Sequence, residues 1–166
     1  MKLGITTLTT AALAALIVFA GAALAGTARS TATVAFTAKY VGTATTNVND
    51  NVVDISATGK GTGTLLGAGK IAGKGTGDSS DPQNCVPFGG TGTMTGLLRT
   101  TLTFKVLSVS KGCGDEAGQV FAISGKATVL KGTGKLLKAK GPLKFTGTYN
   151  RGSGAFTVKF TGTLTK

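Results

Sequence analysis

The sequence predicts an all-β protein, an antiparallel up-and-down β-barrel of about eight strands. Apolar and polar residues alternate along several segments, which is the pattern of a strand with one buried face. A Gly-Thr-Gly triplet, or a close variant, returns at steps of 14 or 15 residues with one wider gap, and one strand plus one turn has that length. No convincing amphipathic helix follows residue 25. The triplets start at Gly61, Gly75, Gly90, Gly132, Gly147 and Gly162.

The first 25 residues have the pattern of a secretory signal peptide. Lys2 provides a positive start, residues 11–22 carry no charge, and the segment ends on Ala-Leu-Ala, whose small residues suit a cleavage site. We therefore predict a signal peptide over residues 1–25, a single mature domain over residues 26–166, and an extracellular, secreted product. The alternative is a retained membrane anchor, since residues 3–24 are long enough to span a bilayer.

Strands and turns then alternate through the first half of the mature chain. Residues 32–41 alternate apolar with polar side chains, which predicts a half-buried strand. A polar turn over residues 47–51 precedes a second strand over residues 52–57. Residues 59–77 are rich in glycine, yet leucine and isoleucine stand among their threonines. This composition indicates strands thinned by glycine rather than a disordered linker.

Two loops flank the longest predicted strand region. Residues 78–90 combine aspartate, serine, asparagine and two prolines with the first cysteine, a composition typical of a loop. The strand region covers residues 91–109, and a second loop over residues 111–118 holds the other cysteine.

The end of the chain predicts a β-hairpin. Residues 143–149 and 156–164 alternate apolar residues with threonine and lysine, and Asn-Arg-Gly-Ser-Gly between them forms the turn. Successive hairpins favour a barrel over a sandwich. A β-solenoid is the alternative, although the apolar residues are too uneven for stacked rungs. The candidate ligand-binding residues, predicted to face the interior, are Phe104, Val106, Phe145, Tyr149, Phe156, Val158 and Phe160.

Cys85 and Cys113 are the two cysteines of the chain. An even pair in an exported domain is most simply a disulfide. Closing a loop of that length stabilises a fold by roughly 3 to 4 kcal/mol in the chain-entropy model. The alternative is a pair of free thiols.

The chain is strongly basic, with 18 Lys and Arg against 6 Asp and Glu and a net charge of +12. Such a charge attracts polyanions without specificity, and the candidates are cell-wall polymers and anionic lipid. The alternative is that the lysines simply keep a β-rich protein soluble and protect its edges. We predict no specific nucleic-acid binding, because the phenylalanines share faces with valine and leucine and are not free to stack on bases.

The sequence contains no histidine, which excludes Ser-His-acid and Cys-His nucleophiles and imidazole metal sites. Asp54 is the one acid inside a predicted strand, and the alternation places it on the outer face. A calcium site is a weak candidate because loop carboxylates gathered by the disulfide would suit that ion. The alternative is that these acids cap backbone amides of their own turns. The calcium candidates are Asp78, Asp81, Asp115 and Glu116.

Residues 121–141, FAISGKATVLKGTGKLLKAKG, resemble the signature of dirigent proteins and of the related allene oxide cyclase barrels. In that signature a strand is followed by Gly-Thr-Gly-Lys-Phe and then Ala-x-Gly, and Leu136 stands where the family prefers phenylalanine. With the final hairpin, the resemblance covers about 45 residues. It implies an eight-stranded antiparallel barrel with an apolar central cavity, often oligomeric. None of the family's charged cavity residues can be matched to this chain residue by residue.

These observations predict a secreted, non-enzymatic barrel that binds a small apolar ligand or has a structural role at the cell surface. The alternative is a dirigent-like or cyclase-like catalyst that orients an apolar substrate, and Tyr149 is then the one candidate polar group in the cavity. A further alternative is an outer-membrane barrel with lysine and threonine facing its lumen. We predict no cofactor, and the candidate partners are the apolar ligand, a polyanion and a second copy of the chain.

Overall fold

Eight antiparallel strands close into a barrel, in which each strand pairs with its neighbours in sequence and β1 pairs with β8. The computed structural model describes residues 32–80 and 84–166, so the predicted signal peptide lies outside the described residues. The predicted all-β barrel is confirmed. The strands are β1 (Thr33–Asn49), β2 (Val52–Gly63), β3 (Gly67–Asp78), β4 (Cys85–Thr95), β5 (Thr101–Gly114), β6 (Val120–Gly132), β7 (Pro142–Asn150) and β8 (Ala155–Thr165).

The alternation of apolar and polar residues decides which side chains face the interior. On β8, Phe156, Val158 and Phe160 are buried, and Thr157 and Lys159 between them are exposed. The predicted final hairpin is confirmed, with Phe145 opposite Phe160 and Tyr149 opposite Phe156. Threonine and lysine occupy many of the outward positions of the described strands, among a few exposed valines and leucines. Asp54 is exposed on this outer surface, as the alternation predicts.

The Gly-Thr-Gly repeat marks places where neighbouring backbones come very close. Its six glycines lie on six different strands, and at each of them an added Cβ would meet a backbone oxygen of another chain segment. At Gly147 that oxygen belongs to Thr157, and at Gly162 it belongs to Pro142. A small barrel coils its strands strongly, and glycine permits the approach. The spacing of the Gly-Thr-Gly triplets in the sequence therefore corresponds to one strand and one turn of the barrel wall.

One end of the barrel, called the closed end below, is filled by side chains. It carries the β2–β3, β4–β5 and β6–β7 connections, the last two with 3-10 turns over Leu97–Arg99 and Gly134–Leu136. No helix among the described residues is long and apolar enough to cross a membrane. Aliphatic side chains with at most 1% exposure plug this end, and they include Leu66, Met94, Leu102, Leu136, Leu143 and Leu164.

The structure corrects the predicted boundaries in the middle of the chain. Residues 91–109 are not one strand, because β4 ends at Thr95 and a 3-10 turn intervenes before β5. Leu98 and Arg99 take left-handed φ values of 53° and 56°, which local propensity does not favour. The predicted loops over 78–90 and 111–118 are shorter than expected, because pairing around Cys85 and Cys113 extends β4 and β5.

Strand β5 contains an irregularity that one buried serine holds in place. The four steps from Val106 to Ser110 lie opposite only two steps of β4, from Gly90 back to Phe88. Ser110 is fully buried, and its Oγ accepts a hydrogen bond from the Lys126 amide at 3.2 Å and donates one to the Lys126 carbonyl at 3.3 Å. The extra residues are therefore accommodated without leaving the serine hydroxyl unpaired.

Tyr40, on β1, is a buried phenol without a partner. Its side chain is 1% exposed, and its hydroxyl has no hydrogen-bond partner among the described residues. Burial raises the pKa of Tyr40 from 10.0 to about 12, because the phenolate would lose its hydration inside the barrel. The folded protein therefore keeps this proton at a pH where the unfolded chain has lost it.

We predict that Tyr40→Phe stabilises the protein, and more so at high pH. Removing the unpaired hydroxyl should raise the free energy of unfolding by about 1 to 2 kcal/mol near neutral pH. As pH rises from 10.0 towards 12, the phenol ionises in the unfolded wild type first. The free energy of unfolding of the wild type alone then falls by roughly 2 to 3 kcal/mol. Urea unfolding of both proteins at about pH 8 and about pH 11.5 measures the difference. A pH-independent difference would contradict the buried, unpaired state of this side chain.

Candidate functional site

The half of the barrel opposite the closed end is hollow. A cavity of about 430 Å³, called the cup below, opens at the end that carries the β1–β2, β3–β4, β5–β6 and β7–β8 connections. Its floor is a cluster of phenylalanines. The ring centroids of Phe104 and Phe160 lie 5.2 Å apart, and those of Phe145 and Phe160 lie 5.5 Å apart, in tilted arrangements. The floor separates the cup from the leucines of the closed end.

Glycines form much of one wall of the cup. Gly73 and Gly75 on β3 and Gly90 and Gly92 on β4 border the cavity without contributing side chains. The strands opposite them in an eight-stranded barrel are β7 and β8, which carry large apolar residues. The cup therefore has a flat backbone wall facing an aromatic wall, a shape that receives a planar or narrow apolar molecule.

The polar groups that border the cup are few and lie near its mouth. The hydroxyls of Tyr149 and Thr46 are 3.3 Å apart and form a hydrogen bond within the wall. Arg151 is exposed at the mouth, and Lys74 borders the cavity from the exposed side of β3. Among the described residues, no aspartate or glutamate borders the cup. The described part of the lining therefore contains no pair of carboxylates of the kind used in glycoside hydrolysis.

The sequence-predicted interior residues come together in the cup. All seven, from Phe104 to Phe160, border it. Their role in holding a ligand stays a prediction. The structure adds Ile55, Phe88 and Ile123 from β2, β4 and β6, which the sequence reasoning did not single out. The alternation around Asp54 could have identified Ile55, whereas the glycine wall gives no comparable signal.

The predicted disulfide between Cys85 and Cys113 is confirmed, and Cys85 borders the mouth of the cup. The two cysteines face each other across the β4–β5 ladder and lie 28 residues apart in sequence. The bridge therefore ties the mouth where β4 and β5 end. A disulfide at this position is compatible with an extracellular protein.

The loop acids near the mouth bond to backbone amides of their own turns. Asp115 Oδ1 accepts hydrogen bonds from the amides of Gln119 and Val120, at 2.8 and 3.2 Å. Hydrogen bonds from the Ser80 hydroxyl and amide hold the pKa of Asp78 below its ordinary value. Of the other calcium candidates, Glu116 is exposed and Asp81 lies outside the described residues. The described residues contain no group of three potential metal-binding side chains.

Charge is unevenly distributed over the described surface. Asp50, Asp54, Asp78, Asp115 and Glu116 all lie in or next to the connections at the open end. Most lysines instead occupy the sides and the closed end, and Lys111 lies near the open end. On the outer face three lysine pairs stand directly opposite each other on adjacent strands, an unfavourable arrangement for stability. These pairs are Lys39 with Lys159, Lys60 with Lys70, and Lys126 with Lys144.

No family model matches this chain, and no match was found among curated proteins or solved structures.

We predict that removing the disulfide destabilises the barrel by about 3 to 4 kcal/mol. The combined variant Cys85→Ala with Cys113→Ala loses the cross-link that restricts the unfolded chain, and urea unfolding against the oxidised wild type measures the cost. Reduced wild type serves as the control, because it should show a similar loss without any change of sequence. Equal stability of all three forms would contradict the prediction.

Proposed function

We propose that this protein is a secreted, non-enzymatic barrel that binds a small apolar ligand in the cup. The observation that supports the proposal is a cavity of about 430 Å³ with an aromatic floor, a glycine wall and an open mouth. Binding sites for small molecules are concave and mostly apolar, with volumes of roughly 300 to 1,000 Å³. The filled closed end supports the proposal too, because the chain packs one half of its interior and leaves the other half open.

The distribution of polar groups indicates the chemistry of the ligand. The deep part of the cup offers apolar contacts from residues such as Ile55, Val106 and Phe145. A polar end of the ligand would find partners further out, at the Tyr149 and Thr46 hydroxyls, at Arg151, or at Ser79 and Asn84. We therefore favour a ligand with a planar or narrow apolar body and at most one polar or anionic end directed at the mouth. Burial of about 200 Å² of such a body would contribute about 5 kcal/mol before the cost of association.

Export is part of the proposal and rests on two independent features. The N-terminal residues have the signal-peptide pattern, and the cysteines form a disulfide of the kind that persists in oxidising compartments. The resemblance to dirigent and allene oxide cyclase barrels suggests a second copy of the chain as partner, which stays a prediction.

A catalyst that orients an apolar substrate is the second candidate function. The observation that favours it is the phenol of Tyr149, which borders the cup and is hydrogen-bonded to Thr46. A dirigent-like or cyclase-like reaction needs a group able to donate or accept a proton within the cavity. Tyr149 is the one phenol on the wall of the cup among the described residues, since the other described tyrosine, Tyr40, does not border it.

We predict that Ala57→Trp weakens ligand binding by filling part of the cup. Ala57 faces inward on β2 and borders the cavity, so an indole there occupies the space of the ligand. The probe is N-phenyl-1-naphthylamine, an uncharged aromatic whose fluorescence rises in apolar surroundings. Wild type should bind it at one site, and Ala57→Trp should weaken binding roughly tenfold or more.

The matched control is Ser56→Trp, which adds the same indole to the neighbouring exposed position. It should bind the probe as wild type does. Equal binding by Ala57→Trp and wild type would place the probe outside the cup and overturn the proposal.

Native mass spectrometry of the protein purified from culture medium reports cleavage at residue 25, the disulfide and any retained ligand.

We predict that Tyr149→Phe separates binding from catalysis. The substitution removes the hydroxyl and keeps the ring, so binding of the uncharged probe should change by less than about threefold. Chromatography then measures whether each protein converts the ligand that is recovered with the native protein. If the barrel only binds, neither protein should convert it. Turnover by wild type that is lost in Tyr149→Phe would instead support the catalytic candidate.

A further inference from the structure

Two short turns at the closed end are joined into one rigid surface. The hydroxyl of Thr133 donates to the Arg99 carbonyl at 2.9 Å and accepts from the Thr101 amide at 3.0 Å. The Lys135 amide donates to the hydroxyl of the fully buried Thr100 at 3.4 Å. The 3-10 turns Leu97–Arg99 and Gly134–Leu136 are therefore held side by side by side-chain and backbone hydrogen bonds.

Exposed leucines lie on or directly after these turns. Leu97 is 61% exposed, Leu98 81% and Leu137 61%, although leucine is normally buried. Leu98 also has a φ of 53°, a left-handed conformation that glycine or asparagine adopts at lower cost. An unfavourable conformation that displays an apolar side chain to solvent indicates a function for that side chain.

Cations surround the leucines. Arg99 and Lys135 lie on the turns themselves, Lys138 and Lys140 follow the second turn, and the Lys166 ammonium donates to the Lys135 carbonyl at 3.3 Å. All five side chains belong to exposed residues. The described acids lie at the opposite end of the barrel, so none of them neutralises this surface.

We propose that the closed end docks on the surface of an anionic lipid bilayer. Leu97, Leu98 and Leu137 would enter the boundary between headgroups and acyl chains, and the surrounding cations would contact lipid phosphates. Apolar side chains within a basic rim are the pattern of interfacial membrane binding. A soluble polyanion would contact the cations but would not bury the leucine side chains. In this orientation the mouth of the cup points away from the membrane.

The test is co-sedimentation with vesicles of phosphatidylglycerol and phosphatidylcholine in equimolar mixture. Wild type should bind these vesicles and should bind pure phosphatidylcholine vesicles much more weakly. Leu98→Asn should weaken binding roughly tenfold or more, since it removes one inserted side chain. Its thermal midpoint should not fall, because asparagine tolerates the left-handed conformation. Val109→Asn, at a 69% exposed position on β5, is the matched control and should bind as wild type does.

A second pair of variants separates the closed end from the basic sides. Lys135→Gln with Lys138→Gln removes two charges beside the turns, and Lys39→Gln with Lys159→Gln removes two from the side of the barrel. We expect a loss of roughly tenfold or more for the first pair and a much smaller loss for the second. All variants share one N-terminus, so the differences report on the substituted positions.

Three outcomes would overturn the inference. They are no binding to the anionic vesicles, wild-type binding by Leu98→Asn, and equal losses for the two lysine pairs. The last result, together with retention of long-chain polyphosphate that is insensitive to Leu98→Asn, would assign a soluble polyanion instead. The proposed ligand site is tested separately, because Ala57→Trp should still bind vesicles and Leu98→Asn should still bind the naphthylamine probe.

Discussion

The closure of a small, strongly coiled sheet is the constraint on which the rest of this structure depends. Eight strands wound into a barrel bring the backbones of neighbouring strands so close that a Cβ at certain positions would meet a carbonyl oxygen. Glycine satisfies that constraint once on most strands. Where further glycines accumulate, on β3 and β4, the wall of the cup consists of backbone without side chains. Closure and cavity thus have a common origin in the composition of the wall.

The two ends of the barrel have opposite properties, although they are built from the same strands. At the closed end leucines fill the interior, cations lie on the surface, and short turns are tied together by threonine hydroxyls. At the open end the interior is hollow, the loops and adjoining strand ends carry the described acids, and a disulfide joins β4 to β5. One end therefore suits contact with a charged surface, and the other suits entry of a small apolar molecule.

The alternation of apolar and polar residues made the final hairpin predictable, because each strand has one face in the core and one in water. The seven interior residues follow from the same pattern. The turn at Leu97–Arg99 does not follow from this pattern, because a hydrogen bond from the Thr133 hydroxyl stabilises a backbone conformation that local propensity disfavours. The irregularity of β5 depends on Ser110 meeting the backbone of Lys126, a contact between strands. The cup could not be predicted, because Gly75 and Gly90 both permit close backbone approach and border the cavity, and the sequence does not show which glycines face a cavity.

The seam between the first and last strands has a consequence for folding. Thr33 pairs with Thr165, so the ladder that completes the barrel joins the two ends of the described chain. Contacts so distant in sequence are slow to form, because the whole intervening chain must be ordered before they are made. The sheet keeps two unpaired edges until β8 pairs with β1. A chain truncated before β8 would therefore expose both edges and be prone to aggregation.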